Sequence, residues 1–391
     1  MKRLITPAFI LAVALLVLAE LVARTFFARD FSGRFEYGFD SEAGFAERAD
    51  GKVELFRAGG RRFRPQTFAR KRPDGIFRIF VLGDSVPRGP SSHGAYAWCL
   101  GQELEGLGVR AQSLNLAVAG FGVRRCQIVL RKILAYDPSL IILHVDNNEY
   151  ADDREYRRSQ EFKSWHPRHW PMKVYIFRRL YELNLEKLFW MLVPEPIRAR
   201  FAVSDADAQI AASLDADKIK EWQARIKATT AESVALARRH RVPVLLLTQC
   251  RLDPDFPGGL NDNGLDAMAE SLTGPGVYHL SMRETLLGAG NFRAYFRDLS
   301  GHLKENGHRL LAQAILEILR KQYASLGLAA LKEAEPPGAA RPESSMTAGK
   351  PPAAAAGSPP ETQSGEVGLR SFASPAPAPG APPGRRPDTP E

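Results

Sequence analysis

The chain has 391 residues, 45% hydrophobic and 25% charged, which is enough for one or two domains with a buried core. Its formal charge is +9, but the arginines are scattered along the chain and form no stripe with interleaved aromatics, which argues against nucleic-acid binding. The three cysteines form no CxxC pair, which argues against a disulfide framework, a redox motif and a metal site. The sequence leaves open whether two of the three form a disulfide.

The first 28 residues predict a membrane segment. After a short basic start, the stretch from Leu4 to Ala23 is almost wholly apolar and reaches the ~20 residues that a spanning helix needs. We interpret residues 1–28 as an uncleaved anchor, because apolar residues continue past Glu20 to Phe27; a cleaved signal peptide is the alternative. Both predict an extracytoplasmic protein.

The remaining chain divides by composition. Residues 29–75 are rich in Gly, Arg and Phe without clear periodicity, which predicts a stem that packs loosely on the domain. Residues 76–326 carry the pattern of a folded domain. Within it, residues 154–200 are basic and aromatic, which predicts an inserted helical cap region or a lid that faces the membrane. Residues 327–391 are rich in Pro, Ala, Gly and Ser, which predicts a disordered tail.

Buried strands alternate with helices in the predicted domain, which is typical of an α/β fold whose parallel sheet is covered on both faces. The predicted strands are Phe77–Leu82, Leu114–Val118, Leu140–Val145 and Val242–Thr248. The predicted helices are Tyr96–Leu107, Arg124–Tyr136, Ile219–His240 and Arg309–Tyr323.

The first candidate functional segment is Gly83-Asp84-Ser85-Val86, directly after a buried strand. A nucleophilic serine needs its hydroxyl exposed on a tight turn, with backbone N–H groups free to face a developing oxyanion, and a strand end followed by a helix start provides both. Alternatively, Asp84 or Ser85 is only the N-cap of a helix.

Three further segments follow at the ends of elements. Gly120 lies after the second strand, where a glycine lets backbone approach a ligand. Asn147 and Asn148 follow the third strand, where a side-chain amide can donate to an oxyanion. Asp298 and His302 precede the last helix, and a histidine beside an aspartate can act as a general base. The ends of parallel strands share one edge, so these segments can converge there. Each segment alone could equally be a polar or glycine turn.

Together, these segments resemble the blocks of the SGNH (GDSL-like) hydrolases over roughly residues 76–325, and the N-terminal anchor resembles that of membrane-tethered bacterial members. The resemblance implies a three-layer α/β/α sandwich. It implies Ser85 as the nucleophile and His302 with Asp298 as the base. The oxyanion donors it implies are Ser85, Gly120 and Asn148. His308, in the continuation of the last block, is interpreted as structural.

The chain departs from the family pattern at two positions. Asp146 stands where the third block has a glycine, which can narrow the site or change its charge. Asp298 lies four residues before His302, where the family has three, and the extra Gly301 is expected to let the loop bulge.

The activity implied is hydrolysis of a carboxylic ester through an acyl-enzyme, without a metal or organic cofactor. An O-acetyl group on an extracytoplasmic glycan is the expected substrate by family analogy and location. Two alternatives remain open: an O-acyltransferase that passes the acyl group to a glycan, and a non-catalytic glycan-binding protein on the same fold.

Overall fold

The computed structural model describes residues 7–27, 35–36, 39–40, 44–55, 63–146, 148–153, 156, 174, 176 and 216–331. The predicted insertion at 154–200 lies outside the described residues except for positions 156, 174 and 176, and the tail beyond residue 331 lies wholly outside them. Both stay predictions.

The described strands and helices follow the alternation expected of an α/β chain. The strands are β1 (Phe35–Glu36), β2 (Phe39–Asp40), β3 (Phe45–Glu47), β4 (Lys52–Leu55), β5 (Gln66–Ala69), β6 (Phe77–Leu82), β7 (Ala111–Asn115), β8 (Leu140–Val145), β9 (Val244–Thr248), β10 (Arg251–Leu252), β11 (Leu260–Asn261) and β12 (Val277–Ser281). The helices are α1 (Pro7–Phe27), α2 (Ser85–Arg88), α3 (Tyr96–Gly106), α4 (Val123–Ile133), α5 (Ala216–Arg239), α6 (Leu265–Glu270), α7 (Met282–Gly288), α8 (Glu305–Lys321) and α9 (Tyr323–Leu326).

The central sheet has five parallel strands in the order β12-β9-β8-β6-β7. Strands β6, β8 and β9 are buried at every position, because helices cover both faces of the sheet, and apart from Arg78, His144 and Thr248 their residues are apolar. The chain adds β7 on one side of β6 and β8 on the other. Ligands in such sheets bind at the carboxyl ends of the strands where the direction of winding reverses, which here is the end of β6.

The sheet confirms the predicted α/β architecture and corrects two of its edges. Strand β7 covers Ala111–Asn115, three residues before the predicted start and end, because it pairs with Phe77–Val81 through partly exposed polar residues at the sheet edge. Strand β12 was not predicted. It is the other edge strand, and its mixed sequence is only partly buried, so it lacks the apolar run by which the central strands were recognised.

Two apolar layers hold the helices against the sheet, because alternate strand residues point to opposite faces. One layer joins α4, α5 and α6 to the sheet through buried residues that include Phe80, Ile141, Leu246, Ile133, Val234 and Ala269. The other joins α3, α7 and α8 through Ile79, Ile142, Leu247, Leu100, Leu286 and Ile315. The second layer continues through Leu328 and Leu331, so the packed structure reaches to the end of the described residues.

Part of the predicted stem belongs to the core. Strands β3, β4 and β5 form an antiparallel sheet, and Val53 and Phe68 are buried against the first layer. The ring of Phe68 lies 5.7 Å from that of Phe80 and 5.3 Å from that of Tyr136. The expectation of a loosely packed stem over 29–75 is therefore wrong for these strands, which have only three or four residues each and are too short for an alternating pattern to be recognised in the sequence.

Helix α1 begins at Pro7 and ends at Phe27 within the predicted anchor. Its large apolar side chains are exposed in the structure, among them Leu16 and Leu18. Within the described part of the chain, no helix meets the length and hydropathy required of a membrane span. The anchor over residues 1–28 stays a prediction.

Candidate active site

Ser85 lies on a sharp turn at the carboxyl end of β6. Gly83, which opens the turn, has a φ of 152°, and a Cβ there would lie 2.5 Å from Pro87 Cγ and 2.9 Å from His144 Cβ. Only glycine fits this position. Asp84 caps α2 by accepting a hydrogen bond from Val86 N at 2.9 Å, and Ser85 is the first residue of that helix. Asp84 is therefore the N-cap of α2, and Ser85 follows it as a partly exposed residue on the turn, so the two interpretations are compatible.

His302 links Ser85 to Asp298. Its Nε2 lies 2.8 Å from Ser85 Oγ, and its Nδ1 lies 2.7 Å from Asp298 Oδ2. We assign the proton to Nδ1, which donates to the carboxylate, so that Nε2 accepts from the serine hydroxyl. The imidazole and the carboxylate are both partly exposed, at 23% and 36% of their side chains, so the base lies at an open rim of the sheet.

The four-residue spacing between Asp298 and His302 is accommodated by a tight loop. Asp298 Oδ1 accepts from the backbone N–H groups of Ser300 at 3.0 Å and His302 at 3.3 Å. Gly301 has a φ of 96°, and a Cβ there would lie 2.8 Å from Cys250 O. Glycine thus lets the loop pass close to the end of β9 while the aspartate still reaches the imidazole.

Asn148 lies beside the nucleophile. Its Nδ2 donates to Asp84 Oδ2 at 2.8 Å, and the same oxygen lies 3.2 Å from Ser85 Oγ. An amide nitrogen has two N–H groups, so one remains to face a ligand. Asn147, the other candidate of this segment, lies outside the described residues.

Gly120 lies in the loop between β7 and α4. Its φ is 76°, which favours glycine. The loop joins the nucleophile turn through Val118 N, which donates to Gly83 O at 3.0 Å. Among the described residues, no acceptor pairs with the backbone N–H of either Gly120 or Ser85. Both groups are thus available to a ligand.

A buried ion pair supports the Gly120 loop, and sequence reasoning missed it. Arg125 on α4 pairs with Asp152, and both side chains are almost fully buried. Asp152 also accepts from Gly122 N at 3.0 Å and Arg124 N at 3.1 Å, while Arg125 donates to Gly120 O. A Cβ on Gly122 would lie 2.6 Å from the Asp152 carboxylate. No sequence motif predicts this pair, because the two residues are 27 positions apart and come into contact only in the folded chain.

Two histidines are buried behind the nucleophile turn. Tyr96 Oη lies 3.3 Å from His144 Nδ1, and the Tyr96 ring stacks on that of His308. Burial lowers the pKa of His144 to about 4 and that of His308 to about 3, so both rings are neutral at physiological pH. His308 thus packs in the interior, as expected of a structural residue.

The cysteines and the clustered acidic side chains are the remaining groups with possible ligand chemistry. Cys99, Cys126 and Cys250 are buried and unpaired. Within the described ranges, no group of three or more His, Cys, Asp or Glu side chains is arranged to hold a metal ion.

Comparison with known proteins gives similarity only at the level of structure. No family model and no curated protein matches the chain. Among solved structures, the chain is similar to the acetyl xylan esterase AlAXEase (14% identity, 62% of this chain and 99% of that one, TM-score 0.38) and to TesA (14%, 62% and 98%, TM-score 0.38). It is also similar to a GDSL-like lipase from Bacteroides thetaiotaomicron (9%, 63% and 88%, TM-score 0.32).

Proposed function

We propose that this chain is a serine esterase of the SGNH type that hydrolyses carboxylic esters through an acyl-enzyme. The observation that carries the proposal is the continuous hydrogen-bonded path from Ser85 Oγ through the His302 imidazole to the Asp298 carboxylate. This arrangement can activate a serine hydroxyl, because the imidazole accepts its proton while the carboxylate stabilises the imidazolium that forms.

The first half of the reaction transfers the acyl group to the protein. Ser85 Oγ attacks the ester carbonyl as its proton passes to His302 Nε2. The carbonyl oxygen becomes an oxyanion, and the backbone N–H groups of Ser85 and Gly120 and the Asn148 amide are the proposed donors to it. Loss of one such donor typically costs ~3 kcal/mol of transition-state stabilisation. His302 then gives its proton to the departing alcohol.

The second half releases the acid. A water molecule gives its proton to His302 Nε2 and attacks the acyl carbonyl on Ser85. The same donors stabilise the second oxyanion, and the proton returns to Ser85 Oγ as the carboxylic acid leaves. If a sugar hydroxyl took the place of water, the product would be a new ester, so the product formed with an acceptor glycan present separates hydrolysis from acyl transfer.

The decisive test is covalent labelling of the serine. A fluorophosphonate should modify Ser85 in the wild type, as located by peptide mapping, and Ser85→Ala should be neither labelled nor active on an acetyl ester. Ser92→Ala, in the nearby turn, is the matched control and should keep both properties. Label on another serine would contradict Ser85 as the nucleophile, whereas equal inertness of wild type and Ser85→Ala across a panel of acyl esters would favour a non-catalytic glycan-binding role.

We propose an extracytoplasmic location for the enzyme, held at the membrane by residues 1–28. The apolar sequence of this segment and the exposed apolar side chains of α1 support the proposal. An O-acetylated glycan is the substrate class that suits this location, and its support is the family resemblance alone.

A further inference from the structure

Asp146 occupies a position directly behind the candidate oxyanion site. It follows β8, two residues before Asn148, and only 3% of its surface is exposed. Its Oδ1 accepts a hydrogen bond from the backbone N–H of Asn148 at 3.2 Å. Asp146 therefore holds the main chain of the residue whose side chain lies beside the nucleophile.

A second carboxyl group, that of Asp84, lies close to the Asp146 carboxyl group. Asp146 lies within hydrogen-bonding reach of the Asp84 side chain. Asp84 already accepts from Val86 N and Asn148 Nδ2. Asp146 Oδ2 is buried and, among the described residues, receives no hydrogen bond. A proton between the two carboxyl groups would satisfy both, since an acid can donate where a carboxylate only accepts.

The charges around Asp146 agree with a neutral acid. Burial, and then the negative charge of Asp84, raise the pKa of Asp146 well above its usual range. Arg251 on β10 and the Asn148 N–H act in the opposite direction. The Cys126 thiol on α4 also faces the pair, and burial raises its pKa well above its usual range, so it adds no charge there.

We propose that Asp146 is a positioning residue which, as a protonated acid, donates to Asp84 and accepts from Asn148 N, and thereby fixes the Asn148 amide at the oxyanion site. The proposal rests on the esterase function proposed above. It gives a role to the residue that replaces the glycine of the family pattern. Loss of the proton would place two carboxylates side by side and displace Asn148, so it would slow acylation at alkaline pH.

The test compares two substitutions at Asp146. Asp146→Asn keeps both hydrogen bonds, because its amide NH2 can donate to Asp84 and its oxygen can accept from Asn148 N, but it cannot lose a proton. We expect it to keep kcat at neutral pH within about twofold of the wild type and to abolish the alkaline fall in rate. Asp146→Ala should lower kcat by about tenfold to a hundredfold at every pH with little change in KM. Equal kcat for Asp146→Ala and the wild type, or an unchanged alkaline limb in Asp146→Asn, would overturn the proposal.

An infrared measurement tests the proton without any turnover. The difference spectrum between the wild type and Asp146→Asn at neutral pH should show the C=O stretch of a buried protonated carboxylic acid. Glu149, whose pKa burial raises to about 8, contributes to both spectra and cancels in the difference. Asp255→Asn, which removes an exposed acid from a turn, should keep the band. Absence of that band from the difference spectrum would refute the protonated acid even in an active enzyme. Its presence in a protein that no ester or fluorophosphonate engages would retain the acid pair and reject the esterase function.

Discussion

At the residue scale, the nucleophile turn combines a partly exposed reactive edge with two buried histidines that carry no charge. Ser85 and His302 face the open rim, whereas His144 and His308 lie behind the turn as neutral rings. A buried neutral histidine lowers the stability of the folded protein in acid, because its pKa is higher in the unfolded chain, which therefore binds the proton at a pH where the folded protein does not. The packing that supports the turn thus makes the protein sensitive to low pH.

The pH dependence of stability can be assigned by substitution. The pKa of His308 falls from 6.5 to about 3 on folding, so its contribution to stability is present above pH 6.5 and is lost as the pH falls toward 3. His308→Gln should therefore reduce the loss of unfolding free energy between pH 7 and pH 5 by about 2 kcal/mol in urea titrations. Exposed His240→Gln is the control. An equal loss in wild type and His308→Gln would show that another group titrates.

At the element scale, the loop between β7 and α4 depends on residues 149–153, which are helical and follow β8. Asp152 accepts hydrogen bonds from the backbone N–H groups of Gly122 and Arg124, and its ion-pair partner Arg125 donates to Gly120 O. Glu149, one turn earlier, accepts from Val123 N at 3.3 Å. Burial raises the pKa of Glu149 to about 8, and the nearby Asp152 adds to this effect. The loop geometry is therefore set by tertiary contacts.

Substitution of Asp152 should lower both the stability of the protein and the activity that depends on the position of the Gly120 loop. Asp152→Asn leaves a buried Arg125 without its counter-charge, which should lower the unfolding free energy by about 3–5 kcal/mol. It should also reduce kcat on an acetyl ester by about tenfold or more, because the Gly120 loop loosens. The control Glu54→Gln breaks the exposed pair with Arg48 and should leave the unfolding free energy almost unchanged, because solvent screens such pairs.

A double substitution distinguishes the two effects. Arg125→Met with Asp152→Leu replaces the pair by apolar side chains and should recover most of the stability. Because the contacts to Gly120 O and Gly122 N stay absent, kcat should remain low. A double variant with wild-type kcat would show that the ion pair only stabilises the fold.

At the scale of the whole molecule, the polar ends of β6, β7 and β8 and the loop before α8 meet at one rim of a parallel sheet. The antiparallel sheet of β3, β4 and β5 packs on the same domain, which makes residues 44–55 and 63–75 part of the folded unit. Helix α1 precedes this unit and carries exposed apolar side chains.

The proposed membrane anchor over residues 1–28 leads to a prediction about the location of the 391-residue chain. Expressed in bacteria, it should stay with the membrane fraction after alkaline carbonate washing, and protease added to spheroplasts should digest the domain. Deletion of residues 1–28 should release the protein from the membrane fraction, because the apolar segment that inserts is gone. A full-length chain found in the cytosol, or protected from protease in intact spheroplasts, would refute the extracytoplasmic location.

The sequence alone was sufficient for the features that depend on local pattern. The apolar runs of β6 and β8 mark strands buried on both faces, and their bounds agree with the structure. The glycine, serine, asparagine and histidine segments were found because chain order places them at element ends. A strand's burial and a turn's glycine are read from neighbouring residues, so they require no knowledge of the rest of the fold.

The tertiary structure decided everything that depends on distant partners. The position of β7, the edge strand β12 and the packed sheet of β3–β5 depend on pairing that short polar strands do not announce. The Arg125–Asp152 pair and the contact of Asp146 with Asp84 likewise join separate segments. Whether Asp298 reaches His302 was also a question of loop path. The sequence determines which side chains are present. The distances between them and their burial, which determine the hydrogen bonds and the pKa values, exist only once the chain has folded.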